Sequence, residues 1–70
     1  MEQKTLLPFS KRKVRLERKS TDLNTPWRTF KLTCVIKQVN TDSVVIFTDH
    51  IGVIALSEIV AVEDLGDGGQ

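Results

Sequence analysis

Cysteine and histidine are scarce: one of each, Cys34 and His50, in a chain of 70 residues. One cysteine excludes an intramolecular disulfide, and the pair is too small a set for a structural zinc site. No apolar run approaches the roughly 20 residues that span a bilayer. Met1 to Phe9 offers only Leu6 and Leu7 as aliphatics before Pro8, too little for the apolar core of a signal peptide. A free thiol without an export signal points to a reducing cytoplasm. Three of the four glycines, Gly66, Gly68 and Gly69, fall at the end of the chain and match no phosphate-cradling loop.

Basic residues are also missing, from one half only. All ten Lys and Arg lie between Lys4 and Lys37, against Glu2, Glu17 and Asp22, so residues 1–37 carry a net +7. Residues 38–70 hold Asp42, Asp49, Glu58, Glu63, Asp64 and Asp67 with no base, a net −6. The overall charge of +1 conceals this asymmetry.

Seventy residues with 40% hydrophobic content make one globular domain. A core of this size supplies about 3–5 kcal/mol of net stability. Lacking covalent or metal staples, it needs tight packing or help from association.

Residues 1–10 read as a flexible arm, with Pro8 opposing helix before it. For Lys11–Lys19 both a helix and a strand are open, since the long side chains favour helix and Ser10 could cap it. Val14 and Leu16 sit two apart, and a cationic first turn would oppose the helix dipole, so the spacing predicts a basic strand. Ser20 to Pro26 is turn chemistry. Phe30, Leu32, Cys34 and Ile36 then alternate with Thr29, Lys31, Thr33, Val35 and Lys37, giving a strand with one apolar face. Asn40–Ser43 is a turn, Val44–Thr48 a strand, Asp49–Gly52 a second turn. Val53–Leu56 and Ile59–Val62 are strands around a one-turn break at Ser57-Glu58. The expectation is an all-β protein. It has a five-stranded small barrel over 11–64, curled to hide its edges, and a disordered tail over 65–70.

The stretch Leu32-Thr33-Cys34-Val35-Ile36-Lys37-Gln38-Val39-Asn40 resembles the bent second strand of Sm-like proteins. Val53 to Val62 is similar to their fourth and fifth strands joined by a single turn. The YolD-like proteins of Firmicutes and their phages have a similar stretch. The likeness runs over roughly residues 14–62 and implies an SH3-like or Sm-like barrel. It also implies RNA binding, ring formation by pairing strand four of one subunit with strand five of the next, and a phage or mobile-element setting. Cys34 stands where Sm-like proteins commonly have glycine.

Lys11, Arg12, Lys13, Arg15, Arg18 and Lys19, with Arg28 and Lys31 beside Trp27 and Phe30, are the candidate nucleic-acid-binding set. Lys and Arg neutralise phosphates and release counterions, and aromatic faces stack on unpaired bases. In a strand, Arg12 would share a face with Val14 and Leu16, while Lys11, Lys13, Arg15 and Lys19 would line the other. The alternative is a charged edge that resists aggregation. Trp27, after Pro26, reads more readily as a cap on the open end of the barrel than as a ligand contact. Cys34 reads as a small core residue and His50 as a solvated turn residue, with no activating geometry between them. Asp42 and Asp49 flank one strand, roughly 23 Å apart if extended, too far for an acid–base pair.

No catalytic residues, cofactor or metal are therefore expected. The expected function is a non-enzymatic nucleic-acid-associated module using the basic strand, with RNA or DNA as ligand and no membrane. The alternatives are a protein-interaction module or small inhibitor docking on a larger enzyme by strand addition, and a homo-oligomeric ring in which basic and acidic halves meet.

Overall fold

The computed structural model describes residues 1–67 and is an all-β domain. Its strands are β1 (Arg12–Lys19), β2 (Thr29–Val39), β3 (Ser43–Phe47), β4 (Ile51–Ala55) and β5 (Ile59–Asp67). They form one antiparallel sheet in the order β4-β3-β2-β1-β5. No ladder joins β4 to β5 among the described residues, so the expected curling into a barrel is not completed by hydrogen bonds. Among the described residues no helix is long and apolar enough to cross a membrane.

Period-2 alternation does most of the building. In β1, Val14 and Leu16 face the interior, opposite Cys34 and Leu32 of β2. The first half of β2 pairs with β1 and its second half with β3. Between Ile36 and Gln38 the β2–β3 register shifts, leaving Lys37 as the extra residue. Such a bulge bends a strand, and here it lets one long strand serve two ladders. The core is Leu6, Val14, Leu16, Cys34, Ile36, Val44, Ile46, Ile54, Leu56 and Ile59, all aliphatic except for the thiol. Among the described residues no polar or charged side chain is buried with them.

Residues 1–10 differ from the expected arm. They form α1 (Gln3–Leu6) and a 3-10 turn, η1 (Leu7–Phe9), with Leu6 fully buried and Met1 and Phe9 packed against the core. The Met1 amino group donates to the carbonyl oxygens of Leu56 (2.9 Å) and Ile59 (3.4 Å), tying this segment to η2 (Leu56–Glu58), the one-turn link before β5. A four-residue helix has no stability of its own; burial of Leu6 holds it. Lys11 then enters β1 at φ 65°, its N–H donating to the Ile36 carbonyl at 2.6 Å. A lysine in that region costs about 1 kcal/mol or more of backbone strain.

The other end differs too. The expected tail over 65–70 begins as strand, since Gly66 pairs with Lys13 and Asp67 with Arg12. Gly66 sits at φ 125°, a conformation open to glycine, and its N–H donates to Asp64 Oδ1. The rest of that expectation, 68–70, lies outside the described residues.

Candidate nucleic-acid interface

The candidate basic residues separate into two groups along β1, an eight-residue strand roughly 24 Å long. Lys11, Arg12 and Lys13 lie at its start. Arg18 and Lys19 lie at its end, where the loop to β2 brings Trp27, Arg28 and Lys31. Arg15 stands between. Within β1, Arg12 lies on the side of Val14 and Leu16, and Lys13, Arg15 and Lys19 on the other. Lys11, expected with the second group, precedes the strand at φ 65°.

Three of the four arginines in this set are held by carboxylates from the acidic half. Arg12 Nε lies 3.0 Å from Asp64 Oδ2, Arg15 Nη1 3.2 Å from Glu63 Oε2, and Arg18 Nη2 3.0 Å from Glu58 Oε2. The cause is topological. Antiparallel pairing of β1 with β5 lays the basic stretch directly along the acidic one. Asp64 responds electrostatically: the Arg12 guanidinium and the Gly66 N–H hold its carboxyl below the ordinary value of 3.8. A continuous cationic stripe along β1 therefore does not exist.

Among the described residues, no carboxylate lies within ion-pair distance of Lys11, Lys13, Lys19, Arg28, Lys31 or Lys37. Three of these, Lys19, Arg28 and Lys31, gather at the loop end of the β1–β2 hairpin. An open depression of about 340 Å³ there is lined by Arg18, Lys19, Thr21, Phe30, Lys31 and Leu32. The Arg28 guanidinium lies over the Phe30 ring, 5.8 Å from its centroid. Trp27 is 76% exposed, which corrects its expected role as a cap on the core.

Local hydrogen bonding explains why the loop holds this shape. Ser20 Oγ accepts from Asp22 N–H, Asp22 Oδ1 from Asn24 N–H, and the Asp22 carbonyl from Thr25 N–H. These are the side-chain and backbone turns that Ser and Asp favour. Arg28 N–H then donates to the Thr25 carbonyl, and Ser20 N–H to the Arg28 carbonyl at 2.9 Å, closing the loop. Trp27 lies within this closed segment with its side chain exposed.

Compared with known proteins, the chain matches no family model, no curated protein and no solved structure. Its chemistry is read from its own side chains.

Two features escaped the sequence reading. Leu23, at the tip of the same loop, is 94% exposed; nothing in its local pattern marks it, because loops lack a periodicity that assigns faces. Phe47 lies on the outer face beneath the Lys37 ammonium, 5.5 Å from the ring centroid, beside Lys13 and Val35. The unbroken apolar run Val44-Val45-Ile46-Phe47 was the available signal, since alternate members of such a run must face outward.

Among the described residues no hydrogen bond joins Cys34 to His50 or Asp42 to Asp49. Cys34 is buried, and burial pushes its thiol up to about 11. His50 is exposed in the β3–β4 turn, where its Nδ1 meets Asp49 Oδ1. The Thr48 hydroxyl and His50 lower the Asp49 carboxyl from its ordinary value. Asp42 and Asp49 stand beyond opposite ends of β3. Among the described residues no group of three His, Cys, Asp or Glu side chains could hold a metal.

Proposed function

We propose that this chain is a non-enzymatic binding module for single-stranded nucleic acid, RNA or DNA, that works through the loop end of the β1–β2 hairpin. The observation that carries the reading is Trp27, three-quarters exposed on a hydrogen-bonded loop next to Arg28 in the chain. The same hairpin end also carries Lys19 and Lys31, and these three cations have no ion-pair partner among the described residues. An exposed indole offers a stacking surface to an unpaired base, and the adjacent cations meet the phosphates on either side of it. The interface is thus smaller than the whole basic strand. Arg12, Arg15 and Arg18 serve the fold by joining β1 to β5 and η2.

The sheet order and the one-turn η2 link support the small-barrel architecture of Sm-like and SH3-like proteins as the scaffold. A cytoplasmic setting, which keeps Cys34 reduced, belongs to the same proposal.

Titration of a labelled single-stranded oligonucleotide over a salt series tests it. Each of Lys19→Ala, Arg28→Ala and Lys31→Ala should reduce the log–log salt slope by about 0.7. Trp27→Ala should cost about 1–3 kcal/mol of affinity and leave the slope nearly unchanged. Arg12→Ala and Arg15→Ala should move the slope far less. Absence of binding, or binding insensitive to salt and to Trp27, refutes the proposal.

The rival reading, a module that docks on a protein by strand addition, is supported by the sheet edges at β4 and β5, which lack a neighbouring strand. A single stoichiometric protein partner that survives nuclease treatment would favour it.

A further inference from the structure

The two edges of the sheet are unlike. The β5 ladder shifts register twice, between Lys13 and Val14 and between Glu17 and Arg18, and β5 carries Glu63 and Asp64. Bulges and charges are the ordinary protection of an edge. The β4 ladder is regular over its whole length, and Ile51-Gly52-Val53-Ile54-Ala55 holds neither charge nor proline. Its outward side chains are exposed: Ile51 at 59% and Val53 at 65%. They continue an apolar row on the same face, since Val53 pairs with Val45 and Ile51 with Phe47.

The backbone of that edge can be assigned. Thr48 N–H donates to the His50 carbonyl, and Leu56 N–H to the Asp42 carbonyl. Hydrogen-bonded and non-bonded pairs alternate in an antiparallel ladder, so Gly52 and Ile54 direct their backbone groups at β3. Ile51, Val53 and Ala55 direct theirs outward, at an edge without a partner strand. These three are also the residues whose side chains lie on the outer face.

We infer that β4 is a self-association edge, pairing antiparallel with β4 of a second copy about a two-fold axis at Val53. The register is self-complementary. Val53 meets Val53 of the other copy, and each Ile51 meets the small Ala55, forming about six N–H to carbonyl hydrogen bonds. A second copy fits because the strand Ile51–Ala55 itself carries no charge to repel its own image, and Arg18, which lines one depression with Val53, is already paired with Glu58. The two apolar rows become continuous across the axis, covering Ile51 and Val53. An interface of one short strand is small, which places the dimer among weak, concentration-dependent associations. It does not depend on the function proposed for the Trp27 loop.

Sedimentation equilibrium from micromolar to millimolar concentration, together with amide hydrogen exchange, tests this. The expected result is a monomer of 7.9 kDa passing to a species of twice that mass. The amides of Ile51, Val53 and Ala55 should gain protection as the dimer forms, while Gly52 and Ile54 are protected throughout. Val53→Lys, which sets two ammonium groups against each other on the axis, should hold the chain monomeric at millimolar concentration. Val53→Pro removes an outward-facing N–H without taking a donor from the β3 ladder, and should also weaken the dimer. High salt should leave the dimer intact, unlike binding to phosphates. A monomer at every concentration, a closed assembly larger than two, or an unchanged dimer in both variants overturns the inference.

Discussion

Leu6→Ala tests whether the first ten residues are an appendage or part of the core. Leu6 is fully buried and stands among the largest buried side chains, level with Leu16 and Ile36. Truncating a buried leucine costs about 2–5 kcal/mol, the sum of lost transfer energy and the cavity left behind. A domain of this size holds only about 3–5 kcal/mol in total. With central values of about 3 lost from about 4, roughly one molecule in six would be unfolded in water at 25 °C. Urea denaturation followed by circular dichroism reads this directly. With a slope near 1 kcal/mol per M, the midpoint should fall from about 4 M to about 1 M. Leu23→Ala is the control: at an exposed loop tip it should change stability by no more than about 0.5 kcal/mol. A Leu6→Ala midpoint within about 0.5 M of the parent would refute the reasoning, since α1 would then contribute no packing.

Three other outcomes follow from the same contacts. Burial raises the Cys34 thiol to about 11, so a thiol reagent at pH 8 should label the native protein slowly and the urea-unfolded protein fast. The Arg12 guanidinium depresses Asp64 in the folded state, so the unfolded chain binds that proton more readily. The associated stability is present above the ordinary value of 3.8 and is lost as pH falls through the lower folded value; Asp64→Asn should make the acid limb of Tm against pH shallower. A double-mutant cycle on Arg18 and Glu58, each about one-third exposed, should give a coupling of about 0.5–1 kcal/mol. The cycle on the more exposed Arg15 and Glu63 should give less, and equal couplings would contradict this ranking.

Much of the strand framework was legible in the residues alone. Alternation at Leu32, Cys34 and Ile36 marks a half-buried strand whatever its neighbours are, because side chains on a pleated backbone must alternate faces. The turn after Val39 and the one-turn break at Ser57-Glu58 were readable for the same local reason. The turn expected over Asp49–Gly52 is shorter, since Ile51 and Gly52 pair with Phe47 and Ile46 as the start of β4. Cys34 as a core residue followed from its phase. The N-terminal segment was not legible: Met1, Leu6 and Phe9 are too few and too close to a proline to show a period, and only the core they pack on makes them helical. Leu65 to Asp67 read as tail because Gly and Asp have low strand propensity, yet pairing with β1 outweighs it.

The candidate site divides along the same line. Sequence by itself determined the segregation of charge, with ten bases ahead of residue 38 and six acids behind, and placed Trp27 beside Arg28 in a turn-rich stretch. It could not say which of those charges would meet, because pairing between β1 and β5 joins residues about fifty positions apart. Tertiary structure decided that Arg12, Arg15 and Arg18 form ion pairs with carboxylates of the same chain, that Lys19, Arg28 and Lys31 form none among the described residues, and that Trp27 points to solvent. The physical reason is range. Side-chain phase and turn chemistry act over a few residues and are written locally, whereas which charges neutralise one another depends on which strands become neighbours.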